Sequence, residues 1–236
     1  MTSASGGLHH TVLTAIGDDL TSGRLAAGDV FSMEQIEGRY GVSRTVVREV
    51  IKVLESIGVA TSRRRVGVTI QPESQWEALS PVIIHWRLAG PQRLAQLREV
   101  SELRRGVEPQ AAHLAAQRAT PEQSQQLQAA AAGMAETGPK GDLLTYLGHD
   151  IDFHRTLLEA SGNALLAGFA PFVAEALTGR TEHDLMPEIP EQGAIGWHVE
   201  VAAAIAEGCP DSAEEAMRRI VSEAQEAMDE IEASGD

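Results

Sequence analysis

Sulfur and aromatic rings are scarce in this chain. One cysteine, Cys209, stands among 236 residues. No internal disulfide can form, and the usage fits a reducing compartment. Aromatic residues make up 4% of the chain, so a core must be built from aliphatic and alanine contacts. No apolar run approaches the ~18 residues that a membrane-spanning helix needs. The N-terminus does not place a basic segment before an apolar one, the pattern of a secretory leader. A cytoplasmic protein without membrane attachment is expected. Basic residues are few as well, and the formal net charge is −15. As a total, that charge argues against a nucleic-acid partner.

The distribution of charge reverses that inference. Residues 1–72 hold 8 Lys and Arg against 7 Asp and Glu, whereas residues 73–236 hold 11 against 27. Within residues 39–65 there are 7 basic residues and only Glu49 and Glu55 to oppose them. A DNA-binding protein needs a basic footprint, not a basic total. An acidic remainder would help hold the rest of the chain off a duplex.

That footprint coincides with the most informative run, Gly41 to Ile70. Gly41 and Val42 make a tight turn after a short helix, and Ser43 has the hydroxyl expected of an N-cap. From Thr45 onward, Val47, Val50, Ile51, Leu54 and Ile57 recur at helical spacing and predict a buried face. Arg44 and Arg48 are four apart on the other face. Gly58 ends the helix. Arg63, Arg64 and Arg65 then cluster in a strand-like stretch around Gly67. A helix with arginines in its first turns fits a major groove, and a basic hairpin beside it reaches phosphates or the minor groove. The expectation is a winged helix-turn-helix over 8–72, with Arg44, Thr45, Arg48, Arg63, Arg64, Arg65 and Gly67 at the DNA.

Upstream, residues 1–7 read as a disordered tail and Leu8–Ser22 as a helix with Val12, Ile16 and Leu20 on one face. Ser32 can cap a second helix through Tyr40, with Ile36 and Tyr40 inward. Gln71 to Ser74 is a plausible boundary. Residues 73–90 read as a linker that folds onto a second domain, 91–233. From Pro91 the chain is helical throughout, with breaks at Thr120-Pro121, Gly138 to Gly141, Ser161 to Asn163, the segment 186–192, and Gly208 to Pro210. Alanines are many, which favours close helix packing. The fold class is therefore mainly α: a winged helix-turn-helix followed by a bundle of six or seven helices.

Three places break the apolar pattern of that bundle, and such breaks tend to mark function. Leu143, Leu147, Asp150, His154 and Leu157 share one stripe, so Asp150 and His154 point inward. Ile195, His198, Ala202 and Ile205 form another, with His198 inward. Arg104 sits between Val100 and Val107. Each has a structural alternative: Asp150 and His154 can satisfy each other, and Arg104 can pair with Glu108. Converging in one bundle, they would instead make a polar cavity. Two imidazoles and a carboxylate suit a divalent first-row metal, and an inward arginine suits a carboxylate ligand. His9, His10, His113, His149, His183 and Cys209 show no comparable pattern. On the last helix Ala213, Met217, Ile220, Ala224, Met228 and Ile231 are expected on one side.

These segments together resemble the GntR-type transcription regulators of the FadR subfamily, with an FCD-type effector domain. GVSRTVVREVIKVLESIGV (Gly41–Val59) is similar to the family's recognition helix, commonly GVSRTPVREAL. ELRRGVEPQAAHLAA (Glu102–Ala116) resembles the start of the effector domain. DIDFHRTLLEASGNALL (Asp150–Leu166) is similar to D-x-x-F-H-x-x-L-x-x-x-S-G-N. HVEVAAAIAEGCPDSAEEAM (His198–Met217) follows H-x-x-I-x-x-A-I-x-x-G-D-x-x-x-A. The resemblance covers nearly the whole chain.

It implies a homodimeric regulator of operator DNA whose bundle binds a small carboxylate effector, often beside a metal held by one Asp and three His. By position, Asp150, His154 and His198 correspond to three of those ligands, and Ile220 stands where the third histidine falls. Zinc or nickel would keep an open coordination position there. Effector contacts would come from Arg104, Asp150, His154 and His198. In the DNA-binding half, Glu34 stands where a basic residue is usual, Phe31 replaces a usual proline, and Val46 replaces the proline after Ser-Arg-Thr. The segment Ser80–Pro91 is most similar to the branch of galactonate and gluconate repressors. That branch implies a sugar-acid effector, with lactate or a uronate catabolite as alternatives. A metal-dependent hydrolase is not favoured: no general base carries its own motif, and the DNA-binding half would be unexplained.

Overall fold

The computed structural model describes residues 3–183, 185–187 and 189–234, with side chains from residue 8 to residue 225 apart from positions 184 and 188. Two units divide the chain, Met1–Pro91 and Gln92–Asp236. The first runs α1 (Ser3–Thr21), β1 (Val30–Phe31), α2 (Met33–Tyr40), α3 (Arg44–Ser56), β2 (Ala60–Arg63), β3 (Gly67–Ile70) and α4 (Pro81–Ala89). Helix α1 begins at Ser3, so the tail expected over 1–7 is helical from its third residue. Once packing holds a helix, extending it by a residue costs little.

The helical spacing in α3 translates directly into burial. Val47, Val50, Ile51 and Leu54 are buried against Val12, Ile16 and Leu20 of α1 and Ile36 of α2. Each contributes roughly 1.5–3 kcal/mol relative to exposure. Ile57, expected on that face, is only partly buried because it is the C-cap residue, already outside the regular helix. Ser32 closes a capping box with Gln35, holding the start of α2. Ser43 takes the extended N-cap conformation, but its side chain makes no capping bond. Gly41 adopts φ 64, a left-handed conformation that glycine permits at no Cβ cost and that turns α2 into α3.

The wing is a three-stranded antiparallel sheet in the order β1-β3-β2. The sequence reading had not foreseen β1, whose two residues pair with Thr69 and Val68. Arg63 lies opposite Gly67, so Arg64, Arg65 and Val66 form the tip. Gly67 has φ 113, and a Cβ there would come within 2.5 Å of the Phe31 carbonyl oxygen. Only glycine fits between the two strands. The segment expected as a linker is structured with the first unit. Ile83 and Trp86 of α4 join the first core, and Gly17 of α1 admits the Trp86 indole so closely that a Cβ would overlap it.

The second unit holds α5 (Arg93–Arg118), α6 (Pro121–Thr137), α7 (Leu143–Ala160), the single turn α8 (Ala164–Ala167), α9 (Ala170–Glu182), α10 (Gln192–Ala206) and α11 (Pro210–Ser234). Among the described residues, seven helices, one of them a single turn, match the bundle expected. Helix α5 packs on α11, α6 on α7 and α10, and α7 on α9. Alanines do much of the close work: Ala112, Ala115, Ala130, Ala131, Ala202 and Ala213 are all core residues. Ala213, Met217, Ile220 and Ala224 of α11 are buried as expected, while the side chains of Met228 and Ile231 lie outside the described residues. Among the described residues no helix is long and apolar enough to cross a membrane.

Candidate functional site

The second unit encloses a polar cavity. Its wall includes Arg104 from α5, Tyr146, Asp150 and His154 from α7, Arg180 from α9, His198 from α10, and Ile220 and Glu223 from α11. The empty space within it, the open solvent at its mouth included, is about 440 Å³. Met186, Pro187 and Pro190 complete it from the segment before α10.

All four residues expected at this site converge. Asp150 Oδ1 lies 3.2 Å from His154 Nε2 and 3.5 Å from His198 Nε2. The two Nε2 atoms are 3.5 Å apart. Tetrahedral ligand atoms at ~2.0–2.1 Å from a zinc ion stand about 3.3–3.4 Å from one another. The triangle of donors therefore has the size that a small divalent ion needs. Asp150 Oδ1 is buried with no hydrogen-bond partner, so an acceptor is left for a cation. His198 Nδ1 lies 2.7 Å from the Ala194 carbonyl oxygen and donates to it, which turns its Nε2 lone pair inward. His154 Nδ1 lies 3.0 Å from Glu108 Oε2, and its Nε2 faces Asp150. The Phe153 ring meets both imidazoles edge to face, fixing their planes. Asp150, His154 and His198 fit a metal by the chemistry and spacing of their donors.

The charges explain how these groups stay buried. Arg104 Nε donates to Glu108 Oε1 at 2.7 Å and Nη2 to Oε2 at 3.2 Å, a two-pronged pair. Glu108 is fully buried. Burial pushes its carboxyl up, but Arg104 and His154 outweigh it and bring it down to about 2. For His154 burial works downward, and the Glu108 carboxylate, with Asp150, raises it to about 9. Burial works upward on Asp150 too, but the two histidines beside it hold it below the ordinary carboxylate range. Without a metal, Arg104, Arg180 and a cationic His154 offset the carboxylates Glu108, Asp150 and Glu223. A divalent ion bound at His154 would take the place of that proton.

Three features refine the sequence reading. On α5 the inward stripe runs through Ser101, Arg104 and Glu108, leaving Val107 only partly buried. Glu108, four residues after Arg104, pairs with it, as the structural alternative for Arg104 allowed. On α7 the stripe passes through Tyr146 and Phe153, while Leu143 and Leu147 lie at its edge. Arg180 was overlooked. It follows Val173 and Leu177 at intervals of four and three, so it continues a buried face of α9.

In the first unit Arg44, Thr45, Arg48, Arg63, Arg64 and Arg65 are all exposed. The first three occupy the first turns of α3 and the others the tip and edge of the wing. Arg65 takes φ 69 at the tip. Arg44 Nη1 pairs with Glu34 Oε1 of α2 at 3.1 Å.

Comparison with known proteins accounts for both units. Residues 8–70 match the bacterial regulatory proteins of the gntR family, and residues 99–223 match the FCD domain. The chain is 28% identical over 169 residues to the uncharacterized HTH-type transcriptional regulator YieP of Escherichia coli K12, covering 71% of this chain and 74% of that protein. It is 26% identical over 156 residues to the galactonate operon transcriptional repressor of the same organism, covering 66% of this chain and 67% of that one. A GntR structure from Streptococcus agalactiae shares the fold at 20% identity and TM-score 0.50, covering 92% of this chain and 99% of that one. McbR/YncC of E. coli does so at 17% identity and TM-score 0.55, covering 95% and 98%. A helix-turn-helix with an exposed basic helix and wing thus precedes a helical bundle with a polar interior, and each matches its own family. The chain belongs to the gntR family of bacterial regulatory proteins, with an FCD domain as its second unit: a DNA-binding transcription regulator and not an enzyme.

Proposed function

We propose that this regulator is a homodimeric, ligand-responsive repressor of sugar-acid catabolic genes, released from its operator by an aldonate such as galactonate or gluconate. The observation that carries this reading is the cavity, in whose wall two arginines and two histidines gather with the carboxylates Asp150, Glu191 and Glu223 in an otherwise apolar bundle. Such a set suits an anionic, hydroxyl-bearing ligand. The likeness to a galactonate operon repressor supports the aldonate class.

Arg104, Asp150, His154 and His198 line the effector site. Asp150, His154 and His198 would hold a divalent ion, zinc or nickel, which would supply an electrophilic position for an oxygen of the effector. Ile220 faces the same cavity without a donor, which leaves that position to the ligand or water. Arg44, Thr45 and Arg48 read base edges, Arg63, Arg64 and Arg65 meet phosphates, and Gly67 keeps the wing in shape. A dimer reads an inverted repeat with half-sites spaced by whole helical turns.

An effector shifts the protein only if it binds the operator-competent state more weakly than the other. A coupling of about 1–3 kcal/mol lowers operator affinity roughly 5–150-fold. By linkage, operator DNA weakens effector binding by the same factor. Calorimetric titration of galactonate and gluconate, with and without operator duplex, tests this. Equal affinities in the two titrations would rule out release by effector. Tighter response to lactate or a uronate would move the effector class and leave the mechanism standing.

A further inference from the structure

The guanidinium expected to meet an effector carboxylate, Arg104, is already engaged. Its Nε and Nη2 both bond to Glu108, and Nη2 also lies 3.3 Å from His154 Nε2. It is 6% exposed. Removing it would leave Glu108 buried and uncompensated. Arg104 therefore serves to hold Glu108 and, through it, His154.

Arg180 is placed differently. Its side chain lines the same cavity as Asp150, His198 and Glu223. Its Nε is buried and has no hydrogen-bond partner. Burial works against its charge, and the Glu223 carboxylate opposes that effect. A buried donor without an acceptor is costly, and native proteins rarely keep one without a reason. An arginine's fork matches a carboxylate in two parallel bonds. The missing acceptor is then an anionic oxygen that arrives with the ligand.

We infer that Arg180 is the anchor for the effector's carboxylate, and that Arg104 is a positioning residue. The inference rests on the reading of the cavity as a carboxylate-effector site. It also gives the ligand a direction. The carboxylate lies at Arg180 on α9, and a hydroxyl oxygen faces Asp150, His154 and His198 on α7 and α10. The ligand class is a hydroxy acid, in which one molecule carries both groups.

Titration calorimetry of the full-length protein with D-galactonate, and with galactitol as its uncharged counterpart, tests the assignment. Arg180→Gln is expected to weaken galactonate by about 10–100-fold, the value of charge-assisted hydrogen bonds, and to leave galactitol unchanged. Arg180→Lys keeps the charge without the fork and should fall between. The melting temperature of Arg180→Gln should stay close to that of wild type, because the buried Nε has no protein acceptor. Equal galactonate affinity in wild type and Arg180→Gln would overturn the anchor, and so would a melting temperature several degrees lower. If wild type takes no aldonate at all, the sugar-acid reading fails separately. Acetate and formate then decide Arg180. Stabilisation of wild type but not Arg180→Gln upholds it, and equal stabilisation or none overturns it.

Discussion

Arg44, in the first turn of α3, pairs with Glu34 of α2 across 3.1 Å, and Glu37 of the same helix stands 4.0 Å from its Nε. The residue that breaks the usual basic character of α2 is thus the one that holds an arginine expected to read DNA. The pair is more than half exposed, so it contributes little to folding. Its effect is on the orientation and charge offered to a duplex.

Arg44→Ala is expected to cost about 1–3 kcal/mol on the operator and to relax sequence preference. Glu34→Gln should do the reverse in one respect. It removes a negative charge beside the phosphates, so affinity for operator and scrambled duplex rises together and the salt slope steepens by about one. Fluorescence anisotropy at several salt concentrations separates the two effects. Unchanged operator affinity in Arg44→Ala would show that α3 docks differently.

The wing offers a contrasting expectation. Arg63→Ala and Arg64→Ala should weaken all duplexes alike and flatten the salt slope by about one each. A loss confined to the operator would mean that the wing reads bases. The same anisotropy series measures it.

Asp19 gives the first unit a defined acid response. Its carboxylate meets Arg24 at 2.6 Å, Arg39 at 2.8 Å and the Tyr40 hydroxyl at 2.8 Å. Burial raises its pKa, but these three bonds prevail and hold it below the ordinary 3.8. A lowered carboxyl stabilises the fold above its unfolded pKa, and that stability is lost as pH falls through the folded value. Stability of the first unit should therefore be level above pH ~4 and decline below it. Asp19→Asn should cost about 1–3 kcal/mol at neutral pH, toward the low end because Arg24 is largely solvated. It should also flatten the acid limb in denaturant melts taken across pH. An acid limb unchanged in Asp19→Asn would assign the response elsewhere.

The metal reading turns on one position. His154→Ala should abolish bound metal in elemental analysis. Ile220→His places an imidazole on the cavity wall and should tighten metal binding about 10–100-fold, the scale on which a site's supporting groups act. If neither wild type nor Ile220→His holds metal above background, Asp150, His154 and His198 serve the ligand directly.

Glu108 carries the largest expected stability effect. Glu108→Gln leaves Arg104 buried without its counter-charge, at a cost of about 3–5 kcal/mol. Thermal melts of the intact chain should show it as a drop in the second unit's transition. A shift no larger than that of an exposed substitution would mean that solvent reaches Arg104.

How much of this was legible in the sequence follows from the range of the forces involved. Periodicity and turn residues are local, so α3, its left-handed Gly41, the hairpin at Gly67 and the inward pairing of Asp150 with His154 could be read directly. A 3.6-residue repeat reports which face of a helix is buried. It does not report what that face meets. Only tertiary packing brought His198 to within 3.5 Å of a histidine 44 positions away, and only packing placed Arg180 in the same cavity. Edges of a stripe are also decided late. Val107 and Glu108 are adjacent, and the sequence favours the valine by hydrophobicity. The structure buries Glu108 because Arg104, one turn earlier, supplies the two hydrogen bonds and the charge that make burial of a carboxylate tolerable. Likewise, α4 reads as a linker by composition. It joins the first core because Gly17 leaves the space that Trp86 fills, and a gap of that kind exists only once the helices are packed.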